Sequence, residues 1–125
     1  VLDSDEFPGR IEANQAVRVR ARVNGYVERV AFTPGSEVAA GDLLYELDAR
    51  PFKARVAEAE AALAATEAQL ALARTESKRQ AQMLETQATS RREYDAAVAA
   101  VKNLEATRGA NRATLARARL DLGYT

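Results

Sequence analysis

Few side chains in this sequence offer reactive chemistry. Histidine and cysteine are both absent from its 125 residues, which removes the usual zinc ligands, thiol nucleophiles and imidazole bases. No catalytic residue, metal site or cofactor site is therefore expected. The most organised polar pair is Ser90 and Glu93, whose S-x-x-E spacing is that of a capping box. In that arrangement the serine hydroxyl accepts a backbone N–H one turn on, and the glutamate reaches back to the serine N–H. The chemistry is structural, and it starts a helix at Ser90. Lysine plus arginine balance aspartate plus glutamate at 18 each, so the net charge argues for neither nucleic acid nor an anionic membrane as partner. Without cysteine there is no disulfide, which suits a reducing or an oxidising compartment equally. No apolar run approaches the length of a membrane span, and Val1-Leu2-Asp3-Ser4-Asp5 has neither a basic nor an apolar signal region. The stretch reads as soluble, with any signal or lipid anchor lying outside it.

Two periods position these residues. Val17, Val19, Ala21 and Val23 alternate with Arg18, Arg20 and Arg22, the pattern of a half-buried strand. Asn24-Gly25 then supplies a turn of residues that tolerate positive φ, and residues 26–32 resume an extended pattern. Further turns are expected at Thr33-Pro34-Gly35 and at Gly41-Asp42, ahead of Leu43-Leu44-Tyr45-Glu46-Leu47. Residues 17–47 thus read as three or four short strands of a small β-module, or of an ordinary small sheet.

After Asp48 the period becomes seven and the composition turns rich in alanine, glutamate, glutamine and arginine. Asp48 is a candidate N-cap, and Pro51 is tolerable in a first turn where its missing N–H has no partner. Val56, Leu63, Leu70 and Leu84, with Ala59, Thr66 and Ala73, form a coiled-coil seam that Ser77 interrupts. A second seam runs through Tyr94, Val101, Leu115 and Leu122 with Ala97, Leu104 and Ala118, weakened in its middle by Arg108 and Asn111. Neither seam can bury itself alone, and the short connection folds them antiparallel into a slender rod of roughly 50 Å. One continuous helix of about 70 residues is the competing reading. Gly109 marks a candidate bend or early end, since glycine costs about 1 kcal/mol relative to alanine in a helix.

The string Gly25-Tyr26-Val27-x-x-Val30-x-Phe32-x-x-Gly35-x-x-Val38-x-x-Gly41-x-x-Leu44 resembles the first half of a biotinyl/lipoyl-like module. Carrier modules of that kind place a modified lysine on the hairpin that follows. Here Leu47-Asp48-Ala49-Arg50 stands in that place, and Lys53 falls inside the helix. In a second kind an α-hairpin splits the module, and the order of this chain is similar to that arrangement, found in the periplasmic adaptors (membrane fusion proteins) of tripartite efflux pumps. Phe7-Pro8-Gly9-Arg10-Ile11 resembles that family's incoming strand, and Leu120-Asp121-Leu122-Gly123-Tyr124-Thr125 its closing segment.

The resemblance implies an α+β fold: a long antiparallel α-helical coiled-coil hairpin attached to an incomplete biotinyl/lipoyl-like β half-module. Residues 1–16 would be a strand or linker from a β-barrel region and 17–48 the half-module. Residues 49–122 would be the hairpin, with helix one over 51–86, the tip at 86–90 and helix two over 90–121. Residues 123–125 would begin a returning strand. The implied function is a non-enzymatic bridge from an inner-membrane RND-type transporter to an outer-membrane channel, exporting drugs or other small molecules. It would lie in the periplasm, anchored to the inner membrane, in a ring of six copies. The family's tip carries an arginine, a leucine four residues on and a serine seven beyond that, and these contact the channel. Arg79, Met83 and Ser90 fall at that spacing, with methionine in place of leucine and Leu84 able to share the role. The plain reading of the same residues is a solvated arginine, a seam methionine and a capping serine. Protein secretion or metal export by a related adaptor, or a generic coiled-coil scaffold, are the alternative functions.

Overall fold

The computed structural model describes residues 8–125. Its elements are β1 (Val27–Val30), β2 (Tyr45–Leu47), α1 (Arg50–Glu85) and α2 (Arg91–Gly123). Thirty-six residues in α1 and 33 in α2 make rods of about 54 and 50 Å at 1.5 Å per residue. Alanine, glutamate and glutamine hold α1 helical, and its one proline, Pro51, sits in the first turn.

The two helices pair along the seams read from the sequence. Phe52, Ala59, Thr66, Leu70 and Leu115 are buried, Leu70 to 2 % exposure. Val56, Leu63, Ala73, Leu84, Tyr94, Ala97, Val101, Leu104, Ala118 and Leu122 are half-buried. The helices run antiparallel, as three ion pairs along one edge show: Glu60–Arg119 at 2.8 Å, Glu67–Arg112 at 3.6 Å and Arg74–Glu105 at 2.8 Å. Arg74 holds the Glu105 carboxyl below its ordinary range. In the weakened middle, the Asn111 side-chain amide donates to the Thr66 hydroxyl at 2.7 Å and to the Ala62 carbonyl at 3.3 Å. Thr66 is thereby satisfied although only 6 % exposed. Gly109 does not end the helix, which runs unbroken to Gly123. It faces open space on the outer side of α2, where it leaves no gap in the seam.

At the base of the rod, the expected strand over 17–23 is not formed. Val17 and Val19 are 85 % and 62 % exposed, and the segment joins neither edge of the two-stranded β1–β2 sheet. Alternation alone cannot make a strand without a ladder partner. The expected Asn24-Gly25 turn is not formed, and Gly25 lacks positive φ. A Cβ there would make ordinary van der Waals contact with the Phe52 ring at 3.5 Å and Leu47 at 3.7 Å, so the position does not demand glycine. Of the expected incoming strand, Phe7 lies outside the described residues and residues 8–11 form no strand.

β1 and β2 are antiparallel, pairing Val27 with Leu47, Arg29 with Glu46 and Val30 with Tyr45 around a bulge at Glu28. Arg29 and Glu46 form a 2.9 Å cross-strand ion pair. Two turns shape the connection, closed by Ser36 N–H to Thr33 at 3.0 Å and Asp42 N–H to Ala39 at 3.2 Å. Each places a glycine third, Gly35 at φ 83° and Gly41 at φ 96°, as type II turns require. The opposite edge of β2 receives the end of the hairpin: Leu47 N–H donates to the Thr125 carbonyl at 2.9 Å. Residues 123–125 contribute that single bond, with α2 still helical at Gly123.

Ala49 already has helical dihedrals, φ −79° and ψ −14°, and the Asp48 carboxylate accepts the Arg50 N–H at 3.0 Å. Asp48 therefore caps from one residue outside the helix bounds. The same carboxylate takes two bonds from the Arg50 guanidinium, at 2.9 and 2.8 Å. Those bonds are the main reason its pKa falls from 3.8 to about 2.

Candidate functional site

The hairpin tip gathers the polar detail of the chain. At the end of α1 the Ala88 N–H donates to the Met83 carbonyl at 2.7 Å and the Gln87 N–H to the Leu84 carbonyl at 3.1 Å. These are the two bonds of a Schellman motif. Its left-handed position is filled by Gln87 at φ 58°, where glycine is the usual occupant. Nothing in a lone glutamine signals that conformation, so the motif was not visible in the sequence.

α2 then starts as its S-x-x-E spacing requires. Ser90 is extended at φ −86°, ψ 155°. Its hydroxyl accepts the Glu93 N–H at 3.2 Å, and the Glu93 carboxylate accepts the Ser90 N–H at 3.2 Å. The Thr89 hydroxyl lies 2.7 Å from the Glu93 carboxylate and 2.8 Å from the Gln80 amide oxygen. It thus joins the first turn of α2 to the last turns of α1. Thr89, followed by Ser90, holds the Glu93 carboxyl below its ordinary range.

Arg79 lies on α1 about a turn and a half, roughly 9 Å, before its end. Its guanidinium is paired with Glu76, whose other oxygen accepts the Gln80 amide at 2.8 Å. The Arg79 side chain remains 67 % exposed. Met83 and Leu84 are half-buried and Ser90 is exposed. Leu84 lines a shallow groove with Ala81, Glu85, Arg91 and Tyr94. Arg91 lies over the Tyr94 ring at 5.8 Å and reaches Asp95 at 3.4 Å. Arg91 and Tyr94 went unremarked as tip residues in the sequence. Their signal was available, because Tyr94 opens the second seam one turn after the cap.

Met83, Leu84 and Ser90 thus flank a turn capped on both sides, with Arg79 and its partner Glu76 on α1 behind it. Among the described residues no group of three or more acidic side chains could hold a metal ion. Among the same residues no helix is long and apolar enough to cross a membrane.

A family model described as the α-helical hairpin domain of RND MFP, the RND membrane fusion proteins, matches residues 55–125. The chain belongs to this family. It is 39 % identical over 117 residues to multidrug resistance protein MdtA of Pectobacterium carotovorum, covering 94 % of this chain and 28 % of that protein. It is 41 % identical over 117 residues to MdtA of Escherichia coli O7:K1, with the same coverage. To multidrug export protein AcrE of Escherichia coli K12 it is 38 % identical over 120 residues, which is 96 % of this chain and 31 % of AcrE. The chain therefore spans less than a third of the length of these relatives.

Proposed function

We propose that this chain is the hairpin-bearing section of a periplasmic adaptor, bridging an inner-membrane RND-type transporter to an outer-membrane channel for export of drugs or other small molecules. The observation that carries the reading is the family match over the hairpin. The names of the relatives, multidrug resistance and multidrug export proteins, give the class of cargo. In this reading the rod supplies reach, and the tip supplies recognition through Arg79, Met83 and Ser90, with Leu84 contributing. No residue performs covalent chemistry. The adaptor works in the periplasm, held at the inner membrane, as a ring of six copies.

In this reading the base is the first half of a lipoyl-like module, contributing two short strands. β1 and β2 leave Val27, Val30, Leu43 and Tyr45 between 43 % and 54 % exposed, an apolar surface that a complementary half would cover. The edge-to-face packing of Phe32 on Tyr45, at 5.4 Å between centroids, gives that half a formed surface to meet.

Reconstitution of the intact adaptor with purified outer-membrane channel tests the reading. Wild type should bind the channel, and Arg79→Asp should lose binding by removing a cationic donor and placing a carboxylate beside Glu76. Self-association without any affinity for a channel would favour a generic coiled-coil scaffold instead.

A further inference from the structure

Three ion pairs along one edge of the rod follow a rule of order as well as of charge. Glu60, Glu67 and Arg74 on α1 meet Arg119, Arg112 and Glu105 on α2. Steps of seven on one helix run against steps of seven on the other. The first two pairs place the acid on α1, and the third reverses the sign. Next to this ladder lies a polar contact inside an otherwise largely apolar seam, Asn111 on the buried Thr66 at 2.7 Å.

We propose that the sign reversal at Arg74–Glu105 and the Asn111–Thr66 contact together form a register lock, which selects one of several alignments that the heptad seam alone would tolerate. A seam repeating every seven residues can slide by seven and still place apolar residues against apolar residues. Such a slide moves one helix by about 10 Å along the other.

The charges oppose it in both directions. Sliding one way sets Glu67 against Glu105 and Lys53 against Arg119. Sliding the other way sets Arg74 against Arg112. With uniform signs, two of the three pairs would survive either slide as attractive pairs. The polar contact acts in the same sense. A slide leaves Asn111 facing Ala59 or Ala73, and Thr66 facing Leu104 or Ala118, so two polar groups lose their partners inside the seam. The side chains of the ladder are between 42 % and 61 % exposed, and one such pair biases an equilibrium by less than about tenfold. Discrimination comes from the pattern: a slide exchanges attractive pairs for repulsive ones. Fixing the register fixes how far the tip stands from the base, independently of what the tip contacts.

The test measures register directly in the intact chain. These 125 residues contain no cysteine, so spin labels can be attached at Ala64→Cys and Ala99→Cys, both exposed and away from the ladder. Pulsed electron resonance on this otherwise native background should give one interhelix distance. The variant Arg74→Glu, Glu105→Arg, Thr66→Val, Asn111→Leu keeps every ion pair attractive in the native alignment but removes the reversal and the polar contact. It should show a second distance displaced by roughly 10 Å, with the slipped fraction raised at least about tenfold. Reversing all six ladder charges together with Lys53→Glu restores the pattern with opposite signs and should return a single distance. Arg74→Glu with Glu105→Arg alone preserves the seam, and it shows that an altered distance is not a loss of folding if its circular dichroism matches the parent. A single native distance in the four-substitution variant would overturn the lock, because the short tip and the base would then hold register unaided. A slipped population after full charge reversal would overturn it as well.

Discussion

Ser90 does two jobs that substitution can separate. In the fold it caps α2, accepting the Glu93 N–H at 3.2 Å; in the proposed function it belongs to the docking surface. Ser90→Ala removes the accepting hydroxyl but leaves the Glu93 carboxylate on residue 90's N–H and on the Thr89 hydroxyl. Half of the capping box survives, so the expected loss is about 1 kcal/mol, a shift of a few degrees in the unfolding midpoint. Ser90→Arg loses the same acceptor at an exposed position and adds a cation at the positive end of α2 beside Arg91 and Arg92, a further cost of about 0.3–1 kcal/mol. Folding should therefore rank Arg a little below Ala, with both helical. Docking should separate them far more: arginine adds bulk and a charge that must be desolvated against the channel. Drug-susceptibility assays at matched expression, with circular dichroism and thermal melts of the purified variants, should find Ser90→Ala near wild type. They should find Ser90→Arg equally helical but sharply deficient in efflux. Equal efflux from the two variants would refute the docking role and leave Ser90 as a cap.

Other outcomes test separate parts of the description. Gln87→Gly should raise stability by roughly 0.5–1 kcal/mol, since relief of a left-handed glutamine, about 1–2 kcal/mol, outweighs the extra freedom of an unfolded glycine; a denaturant midpoint that falls would contradict the Schellman geometry. Because the Asp48 pKa is depressed in the folded chain, its capping contribution is fully present above its ordinary value of 3.8 and is lost as pH falls toward about 2. The protection of the first-turn amides of α1, taken relative to their intrinsic exchange at each pH, should fall through that window, and Asp48→Asn should flatten the dependence. With no lysine in Leu47-Asp48-Ala49-Arg50, intact-mass measurement after expression beside active lipoyl and biotin ligases should show no adduct, and an adduct would restore the carrier reading.

The hairpin was legible because its signal is periodic: every residue assigned to the two seams is buried or half-buried. The interhelix ion pairs were present in the same heptads but needed the alignment of both helices before Glu60 could be matched with Arg119. The base was misread where local pattern met missing partners. Residues 17–23 alternate as a strand does, yet a strand requires a ladder, and the segment joins neither β1 nor β2. Gly25 looked like a turn residue but lacks positive φ. At the tip, Ser90 and Glu93 announced themselves through spacing. Gln87 did not, because its conformation is imposed by the bonds to Met83 and Leu84 and not by its own preference.

The bond from Leu47 to the Thr125 carbonyl has a mechanical side. One strand, β2, runs through Asp48 into the foot of α1 and is hydrogen-bonded directly to the foot of α2, so both legs of the rod stand on the same short footing. A sideways push at the tip then acts through a lever arm of about 50 Å and arrives at β2 as torque. On the α2 side that load falls on the one bond between Leu47 and Thr125.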